Sequence, residues 1–279
     1  MKVLAVGATG TFAGLVVPAL AERGVHVRAL VHDPGKADVA LRAGAAETVE
    51  ADLADRVSLD AAVDGMDGVF LITPAFHPQA TTLGLNVVEA AVAAGVGKVV
   101  YNGVYHPSLN LVNHASTRPI EAALYAAALD FTILEPAMYL QGLAGAYSQA
   151  VKSGQLLFPW SKDSAMTYVD YRDVAEAAAL AFTDPRLSFG TFELAAGGMV
   201  TRVELAEMMS RVAGREITAA DPPSLPAPTQ PEGMAGMFAE YDQHGFRGGN
   251  ALALHTILGR PPRTVVDYIA ELAAQTSVR

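Results

Sequence analysis

The sequence predicts an α/β protein built on a doubly wound parallel sheet, with a smaller carboxy-terminal lobe. Apolar runs of strand length recur to about residue 195, and stretches with helical spacing separate them. A glycine-rich turn joins the first run to the first helix. Such alternation is typical of βαβ units, whose helices cover both faces of a parallel sheet. With 279 residues, 51% of them hydrophobic, the chain can bury a large core.

Seven apolar runs are predicted as strands, and they cover residues 3–6, 25–31, 48–51, 69–72, 99–101, 131–134 and 192–195. Helical spacing predicts helices over residues 11–23, 79–94, 117–129, 172–182, 202–214 and 264–275. Gly24 and Gly95 are stop signals for the first two helices, Pro119 suits a first helical turn, and Thr201 is a candidate N-cap.

The composition changes after about residue 214. The segment 221–250 is rich in Pro, Gly and Met and interrupts the alternation of strands and helices. We interpret it as a mobile lid, and the alternative is an irregular surface connection with one short helix.

Charge and composition exclude several classes of function. The net charge is -10 and no run of Lys or Arg occurs, so nucleic-acid binding has little electrostatic support. The chain has no cysteine, which excludes disulfides, thiolate nucleophiles and Cys-based metal sites. The histidines are scattered, and we expect no metal. The apolar run at the amino terminus is too short for a signal sequence or a membrane span, so we expect a cytoplasmic protein.

The turn "VGATGTFAG" carries a G-x-x-G-x-x-A pattern formed by Gly7, Gly10 and Ala13. Gly7 can adopt the tight turn, Gly10 lets a pyrophosphate approach the main chain, and Ala13 keeps the helix close to the sheet. Free N–H groups at the start of the helix then face the phosphates. The pattern predicts a dinucleotide in a Rossmann-type fold, and the alternative is a tight strand–helix turn without a ligand.

The end of the second predicted strand should meet the adenosine ribose. It reads "RALVHDPGKA" and brings Arg28, His32, Asp33 and Lys36 together in sequence. An acidic residue here favours NAD and a basic residue favours NADP, so the residues alone leave both open. An ordinary solvated turn is the alternative for His32 and Lys36.

Several longer stretches of the sequence are informative together, namely "GATGTFAGLVVPALAERGVHVRALVHDPGKA", "EADLAD", "VFLITP", "DFTILEPAMYLQ" and "LGRPPRTVVDYIAEL". They resemble the NmrA-like family of atypical short-chain dehydrogenases/reductases. Within that family, "ITPAFHP", "YNGVYH" and "QHGFRGG" are similar to the branch of triphenylmethane reductases and NADPH quinone oxidoreductases 2. The resemblance spans nearly the whole chain. It implies an NAD(P)-binding domain over residues 1–136, to which 164–196 return, and a smaller substrate-binding lobe over 137–163 and 197–279.

The resemblance also implies cofactor contacts, with NADP expected in preference to NAD. The implied contacts are Gly7, Thr9, Gly10, Thr11 and Phe12 at the pyrophosphate, His32 and Lys36 at the adenosine phosphate, Asp52 and Leu53 at the adenine, and Thr73 and Pro74 along the nicotinamide. Four positions depart from the family pattern. His32 and Glu135 stand where arginine is usual, Thr117 stands where lysine is common, and Gly103-Val104 replaces a Ser-Ser pair.

No tyrosine is followed four residues later by lysine, so the Tyr-Lys dyad of carbonyl reductases is missing. Hydride transfer to a quinone, an enone or another conjugated acceptor needs less help from a protein acid. We therefore expect an NAD(P)H-dependent reductase of such acceptors. The candidate walls for a flat substrate are Phe76, Tyr105, Tyr139, Met237, Phe238 and Tyr241, with Tyr105 as the candidate catalytic helper. Core packing is the alternative for each of them.

A second hypothesis remains open. The family also contains non-catalytic regulators, so the protein could be an NADP-binding redox sensor that acts on a protein partner. As partners we expect a small aromatic or conjugated molecule, no nucleic acid and no membrane. A homodimer is the candidate assembly.

Overall fold

The computed structural model describes residues 1–221 and 233–277. The chain divides into two compact units. The first unit comprises Met1–Pro136 and Val174–Glu193, and the second comprises Ala137–Asp173 and Leu194–Arg279. The segment that returns to the first unit spans 174–193.

In chain order the strands are β1 (Lys2–Ala5), β2 (His26–Val31), β3 (Glu47–Glu50), β4 (Gly68–Ile72), β5 (Lys98–Asn102), β6 (Asp130–Pro136), β7 (Met138–Tyr139), β8 (Gln155–Leu156), β9 (Tyr168–Val169), β10 (Gly190–Leu194) and β11 (Thr218–Ala219). The α-helices are α1 (Val16–Ala21), α2 (Ala37–Arg42), α3 (Arg56–Val63), α4 (Ala80–Ala93), α5 (Val112–Ala115), α6 (Arg118–Ala126), α7 (Leu143–Ser153), α8 (Tyr171–Thr183), α9 (Arg202–Ala213), α10 (Met234–His244), α11 (Leu252–Leu258) and α12 (Val265–Ser277).

The seven predicted strands form one seven-stranded sheet with the order β10-β6-β5-β4-β1-β2-β3. The expected α/β fold with a mostly parallel sheet is thereby confirmed. β1 pairs in parallel with both β2 and β4, so the strand order reverses at β1. In doubly wound sheets ligands bind beyond the carboxyl ends of the strands at such a reversal. β4 also pairs in parallel with β5, and Ile72 at the end of β4 is aligned with Asn102 at the end of β5. The loops after these two strands therefore leave the sheet at the same edge.

Burial on both faces explains why the central strands read as continuous apolar runs. Leu4, Val69, Val99 and Ile133, from four adjacent strands, belong to one buried cluster. Val87 of α4 packs into the same cluster. The strands on either side of the reversal are therefore held by this buried cluster.

The first helix starts later than the spacing predicts. Residues 11 and 12 remain in a turn, a 3₁₀ helix covers Ala13–Leu15, and α1 follows from Val16 to Ala21. The α-helical hydrogen bonds start late because N–H groups of this stretch are engaged within turns. Gly10 N–H donates to the Gly7 carbonyl at 2.8 Å, and Leu15 N–H donates to the Phe12 carbonyl at 2.9 Å. Gly24, with φ +73°, ends the helical stretch as expected.

Two further helix signals agree with the structure. α4 lies within the predicted 79–94 and is followed by Gly95 with φ +69°. Thr201 caps α9 through a capping box, in which its side chain accepts from Glu204 N–H while the Glu204 carboxylate accepts from Thr201 N–H. The predicted helix over 117–129 ends early, at Ala126, because Asp130 N–H already donates to the Gly97 carbonyl beside β5.

At the amino ends of β5 and β6, a nearly buried ion pair joins the strands. Lys98 Nζ lies 3.1 Å from Asp130 Oδ2 and donates to Ser188 Oγ at 3.1 Å. Ser188 Oγ in turn donates to Asp130 at 2.6 Å. This polar cluster lies at the opposite end of the strands from the glycine turn and stabilises the sheet there.

The second unit contains two short two-stranded sheets, β7-β9 and β8-β11, with the helices α7 and α9–α12. The carboxylate of Asp173 holds the carboxy-terminal stretch of this unit through Arg260 and Arg263, and we name this contact the Asp173 latch. Asp173 is fully buried, accepts from Arg260 Nη2 at 2.8 Å and from Arg263 N–H at 2.7 Å, and also contacts the Arg263 guanidinium. Asp170 is likewise held by Arg172 and Gln141.

Part of the expected lid or surface connection, residues 222–232, lies outside the described residues. Its remainder forms α10, which is followed by Gly245 with φ +66°. A Cβ atom at Gly245 would lie 2.3 Å from the Ala165 carbonyl oxygen, so only glycine fits there. Over residues 1–221 and 233–277, no helix has both the length and the apolar character needed to cross a membrane.

Candidate functional site

The glycine turn after β1 has a backbone that excludes other residues. Gly7 has φ +75°, and a Cβ atom there would lie 2.9 Å from Ile72 Cγ2. A Cβ atom at Gly10 would lie 3.2 Å from the Gly7 carbonyl oxygen. Gly10 and Thr11 are exposed, while Thr9 and Phe12 are half-buried. The turn therefore places exposed residues with small side chains at the carboxyl end of β1, where dinucleotide-binding folds hold a pyrophosphate.

The turn after β2 places two nitrogen-bearing side chains in solvent. His32 directly follows the strand, Lys36 ends a 3₁₀ helix over Pro34–Lys36, and both are exposed. Asp33 is occupied as the cap of that short helix, since its Oδ1 accepts from Gly35 N–H at 2.9 Å. The carboxylate is thus engaged with the backbone, whereas the His32 and Lys36 side chains are open to a ligand.

Arg28 has a structural role instead. It lies within β2, donates to Glu47 Oε1 at 2.9 Å, and also donates to the carbonyls of Ala62 and Asp64. Its hydrogen bond lowers the pKa of the Glu47 carboxyl. The guanidinium joins β2 and β3 to the end of α3.

The two residues implied at the adenine lie in the turn between β3 and α3. Asp52 Oδ1 accepts from Ala54 N–H at 2.9 Å, and the Leu53 carbonyl accepts from Asn86 Nδ2 of α4 at 2.9 Å. These bonds fix the turn while leaving the Asp52 side chain exposed.

The loop after β4 contains Thr73, Pro74 and Phe76. Thr73 is half-buried, and the Pro74 carbonyl accepts from His77 N–H at 3.3 Å. Phe76 is half-buried and has φ +58°, a conformation that side chains other than glycine rarely adopt. The loop therefore stores backbone strain next to the strand reversal, as functional loops often do.

The loop after β5 carries Tyr105 and His106. Gly103 N–H donates to the Leu134 carbonyl at 2.8 Å, and Tyr105 N–H donates to the Pro136 carbonyl at 3.1 Å, so the loop runs alongside the end of β6. His106 has φ +55°, and its ring centroid lies 4.1 Å from that of Tyr105. Burial, together with the Glu193 and Glu135 carboxylates, raises the pKa of Tyr105 to about 12. The phenol stays protonated at neutral pH and can act as a hydrogen-bond donor.

Three carboxyl groups surround this loop. Glu135 is buried at the end of β6, and burial, followed by the charges of Glu121 and Glu193, raises its pKa to about 8. Burial also raises the pKa of Glu121 on α6. Glu193 on β10 is partly exposed, and its Oε1 lies 2.5 Å from His106 Nδ1. We name Glu121, Glu135 and Glu193 the carboxyl cluster.

In the sequence, Glu135 stands out only as a departure from a family pattern, and Glu121 and Glu193 were not predicted as site residues. The sequence does contain a signal for Glu135 and Glu121. Glu135 interrupts the apolar strand "FTILEP", and Glu121 follows the buried Ile120 on the inner face of α6. A carboxylate in such a position is costly to bury unless it is protonated or paired.

The aromatic candidates divide between the two units. Phe76 and Tyr105 belong to the first unit. In the second unit, Tyr139 packs edge-to-face on Tyr171 at 4.7 Å. Phe238 and Tyr241 of α10 lie on Trp160, with ring centroids 5.9 and 6.0 Å away.

Trp160 was missed by sequence reasoning, because a lone tryptophan in an irregular segment carries no periodic signal. It stacks on Phe158 at 4.9 Å and forms the centre of an aromatic cluster. Tyr241 is almost fully buried in that cluster, and Phe238 is half-buried. Within the described ranges, no group of three or more His, Asp or Glu side chains could hold a metal ion.

Known proteins resemble this chain over most of its length. The profile of the NmrA-like family matches residues 1–247. Quinone oxidoreductase 2 of Escherichia coli (strain K12) is 25% identical over 278 residues, which cover 95% of this chain and 96% of that protein. The structure of Citrobacter sp. triphenylmethane reductase complexed with NADP(H) has a TM-score of 0.85 at 22% identity and covers 98% of this chain and 100% of that chain.

A third neighbour has a different kind of activity. The structure of NmrA, a negative transcriptional regulator in complex with NADP, has a TM-score of 0.79 at 19% identity and covers 99% of this chain and 96% of that chain. At such identities the two structures support the fold. The family profile and the oxidoreductase relative confirm the resemblance inferred from the motifs. The chain therefore belongs to the NmrA-like family.

Proposed function

We propose that this protein is an NAD(P)H-dependent oxidoreductase that transfers hydride to a quinone-like, enone or other conjugated acceptor. The observation that carries the proposal is the glycine turn, in which Gly10 and Thr11 are exposed beside the reversal of strand order. A full-length relative named as a quinone oxidoreductase supports the same class of reaction.

The cofactor residues are proposed as the resemblance implies them. Gly7, Thr9, Gly10, Thr11 and Phe12 would hold the pyrophosphate, His32 and Lys36 the adenosine phosphate, Asp52 and Leu53 the adenine, and Thr73 and Pro74 the nicotinamide side. NADPH is the expected cofactor, because His32 and Lys36 are exposed and the neighbouring carboxylate is engaged as a cap. Two neighbouring structures also contain NADP. When bound, the reduced nicotinamide supplies a hydride to the acceptor.

The acceptor class follows from what the chain lacks. No tyrosine is followed four residues later by lysine, and burial raises the pKa of Tyr105, so we propose a reaction without a lysine-activated tyrosine. Tyr105 would serve as a donor to an oxygen of the acceptor. Phe76, Tyr139, Phe238 and Tyr241 are proposed as its aromatic contacts.

The cofactor half of the proposal is tested by calorimetric titration with NADPH and NADH. The Gly7→Ala variant, which places a Cβ against Ile72, should lose binding. Gly24→Ala is a matched control, because Gly24 also has a positive φ but a Cβ there would meet no atom within 4 Å. The control should lose stability and keep its affinity. If the wild-type protein binds neither nucleotide, the whole proposal is wrong.

The reaction is tested by following NADPH absorbance with a panel of quinones, enones and cationic triarylmethane dyes. We expect oxidation of NADPH with at least one of these classes. NADPH binding without turnover across the panel would instead support the sensor hypothesis, which the fold of the NADP-bound regulator favours.

Homodimer formation is a separate proposal, and light scattering of the purified protein tests it. With a net charge of -10, no salt-dependent binding to DNA is expected in the same preparations.

A further inference from the structure

A polar network beside Tyr139 joins two segments of the second unit. One segment is β7 with the 3₁₀ helix Leu140–Gly142 that follows it, and the other is β9 with the start of α8. β7 and β9 pair in parallel, and Tyr139 is aligned with Val169. Backbone pairing therefore holds the two segments together at Tyr139, and the residues that follow on each segment form the network.

Gln141 is the link between the two segments. Its Oε1 accepts from Tyr171 N–H at 2.9 Å, and its Nε2 donates to Asp170 Oδ1 at 2.7 Å. Both ends of one amide are thus bound to the opposite segment. The two bonds need an acceptor and a donor at the end of a side chain of this length, and only glutamine provides both.

Asp170 anchors Gln141. Asp170 is fully buried and accepts from Arg172 Nη2 at 2.6 Å and from Arg172 N–H at 2.9 Å. Arg172 is itself held by Glu271 of α12, at 2.8 Å, and its guanidinium lies 5.8 Å from the centroid of the Tyr268 ring. Burial alone would raise the pKa of Asp170, but the hydrogen bonds from Arg172 and Gln141 lower it below its ordinary value. The charged carboxylate is a strong acceptor for Gln141 Nε2.

The network also fixes the ring of Tyr139. Tyr171 is fully buried, and the rings of Tyr139 and Tyr171 pack edge-to-face with centroids 4.7 Å apart. Gln141 binds the backbone of Tyr171 and lies two residues after Tyr139, so it holds the two rings against each other. Tyr139 is only half-buried, and its accessible part is a preorganised aromatic surface. A ring that is already fixed loses little conformational entropy when a planar ligand packs on it.

We propose that Gln141 is a positioning and specificity-determining residue, which holds Tyr139 in place so that the protein selects extended planar acceptors. This inference rests on the proposed function, in which Tyr139 is an aromatic contact of the acceptor. An acceptor with two fused rings buries more apolar area on a fixed aromatic surface than an acceptor with one ring. Loosening Tyr139 should therefore reduce the preference for the larger acceptor.

The first test measures binding without turnover. Calorimetric titration in the presence of NADP⁺ compares naphthoquinone, which has two fused rings, with benzoquinone, which has one. The chain has no cysteine, so no thiol can add to either quinone. Gln141→Ala should weaken naphthoquinone binding by about tenfold and benzoquinone binding by about threefold or less. Gln149→Ala, at an exposed position of α7 in the same unit, is the matched control and should change neither affinity.

The second test shows whether Gln141 acts through Tyr139. Tyr139→Leu should abolish the preference for naphthoquinone, and Gln141→Ala should then cause no further loss in the Tyr139→Leu background. A general structural role would cost as much in both backgrounds. In steady-state assays, Gln141→Ala should raise KM for naphthoquinone and leave kcat and the KM for NADPH within about twofold of the wild-type values.

A milder variant covers the case in which Gln141→Ala does not fold. Arg172→Lys keeps the positive charge but loses the bidentate contact with Asp170. It should shift the preference between the two quinones in the same direction and to a smaller extent.

Three results would overturn the positioning role. They are equal weakening of both quinones by the variant that folds, additive losses in the double variant, and a wild-type protein without a preference for naphthoquinone. A wild-type protein that binds naphthoquinone selectively but oxidises no NADPH would contradict the proposed reductase, while the role of Gln141 in selective binding would stand.

Discussion

The residue after β2 is where selectivity between the two nicotinamide cofactors is expected to arise. His32 is exposed at the end of the strand, and Lys36 lies four positions later in the same turn. An imidazole offers a phosphate neither the permanent charge nor the two parallel N–H groups of a guanidinium. Selectivity should therefore be weaker in this chain than with an arginine at the same position.

His32→Arg should tighten NADPH binding relative to NADH by about tenfold, because it adds one charged hydrogen bond to the 2′-phosphate. Competitive titration with both nucleotides measures the ratio. His26→Arg, at the other end of β2, is the matched control and should leave the ratio unchanged. An unchanged ratio for His32→Arg would place the phosphate elsewhere.

Backbone strain occurs at two residues that sequence patterns do not identify. Phe76 and His106 have positive φ angles in the loops after β4 and β5. Such a conformation costs about 1–2 kcal/mol for a residue other than glycine. Phenylalanine and histidine do not favour a positive φ, so these angles could not be predicted from the sequence.

Among the elements, the strands were the most predictable. Each predicted run overlaps a strand of the main sheet, because burial on both faces makes the run itself apolar. Helix starts were harder to predict. After β1 the predicted helix starts as a 3₁₀ turn at Ala13, two residues late, and α1 begins only at Val16, since the glycine turn uses hydrogen bonds that periodicity does not reveal.

The capping box of α9 gives an element-scale prediction. Thr201→Ala removes the acceptor for Glu204 N–H and should lower the free energy of unfolding by about 1 kcal/mol. Denaturant unfolding followed by Trp160 fluorescence measures it, because Trp160 is the only tryptophan in the sequence and lies in the same unit.

Thr256→Ala in the middle of α11 provides the comparison. Its hydroxyl donates within the helix to the Leu252 carbonyl, and alanine has the higher helix propensity. This variant should unfold at the same or slightly higher denaturant concentration. Equal destabilisation by the two substitutions would contradict the capping role.

For the molecule as a whole, the most predictable and least predictable parts differ in how far apart their residues are in sequence. The glycine turn is local, so Gly7, Gly10 and Ala13 can be identified together. The carboxyl cluster draws on residues 121, 135 and 193, which only the folded chain brings together. The Asp173 latch is similar, because its two arginines lie 87 and 90 residues away.

Breaking that latch should be the costliest single change proposed here. Asp173→Asn keeps the shape but leaves Arg260 and Arg263 without their buried carboxylate, and we expect a loss of about 3 kcal/mol in the free energy of unfolding. Trp160 fluorescence again measures it. Asp163→Asn removes an exposed pair with Lys162 and should change stability by less than about 1 kcal/mol. Similar effects of both variants would contradict the latch.

The Lys98–Asp130 pair at the amino ends of β5 and β6, in which Lys98 is buried and Asp130 half-buried, has an evolutionary consequence. It secures the strands at the end remote from the loops that carry Tyr105 and the carboxyl cluster. Mutations that broaden or redirect the choice of acceptor can therefore accumulate in those loops without loosening the sheet. Selection for new acceptors should recover changes after β4 and β5 and leave Lys98, Asp130 and Ser188 untouched.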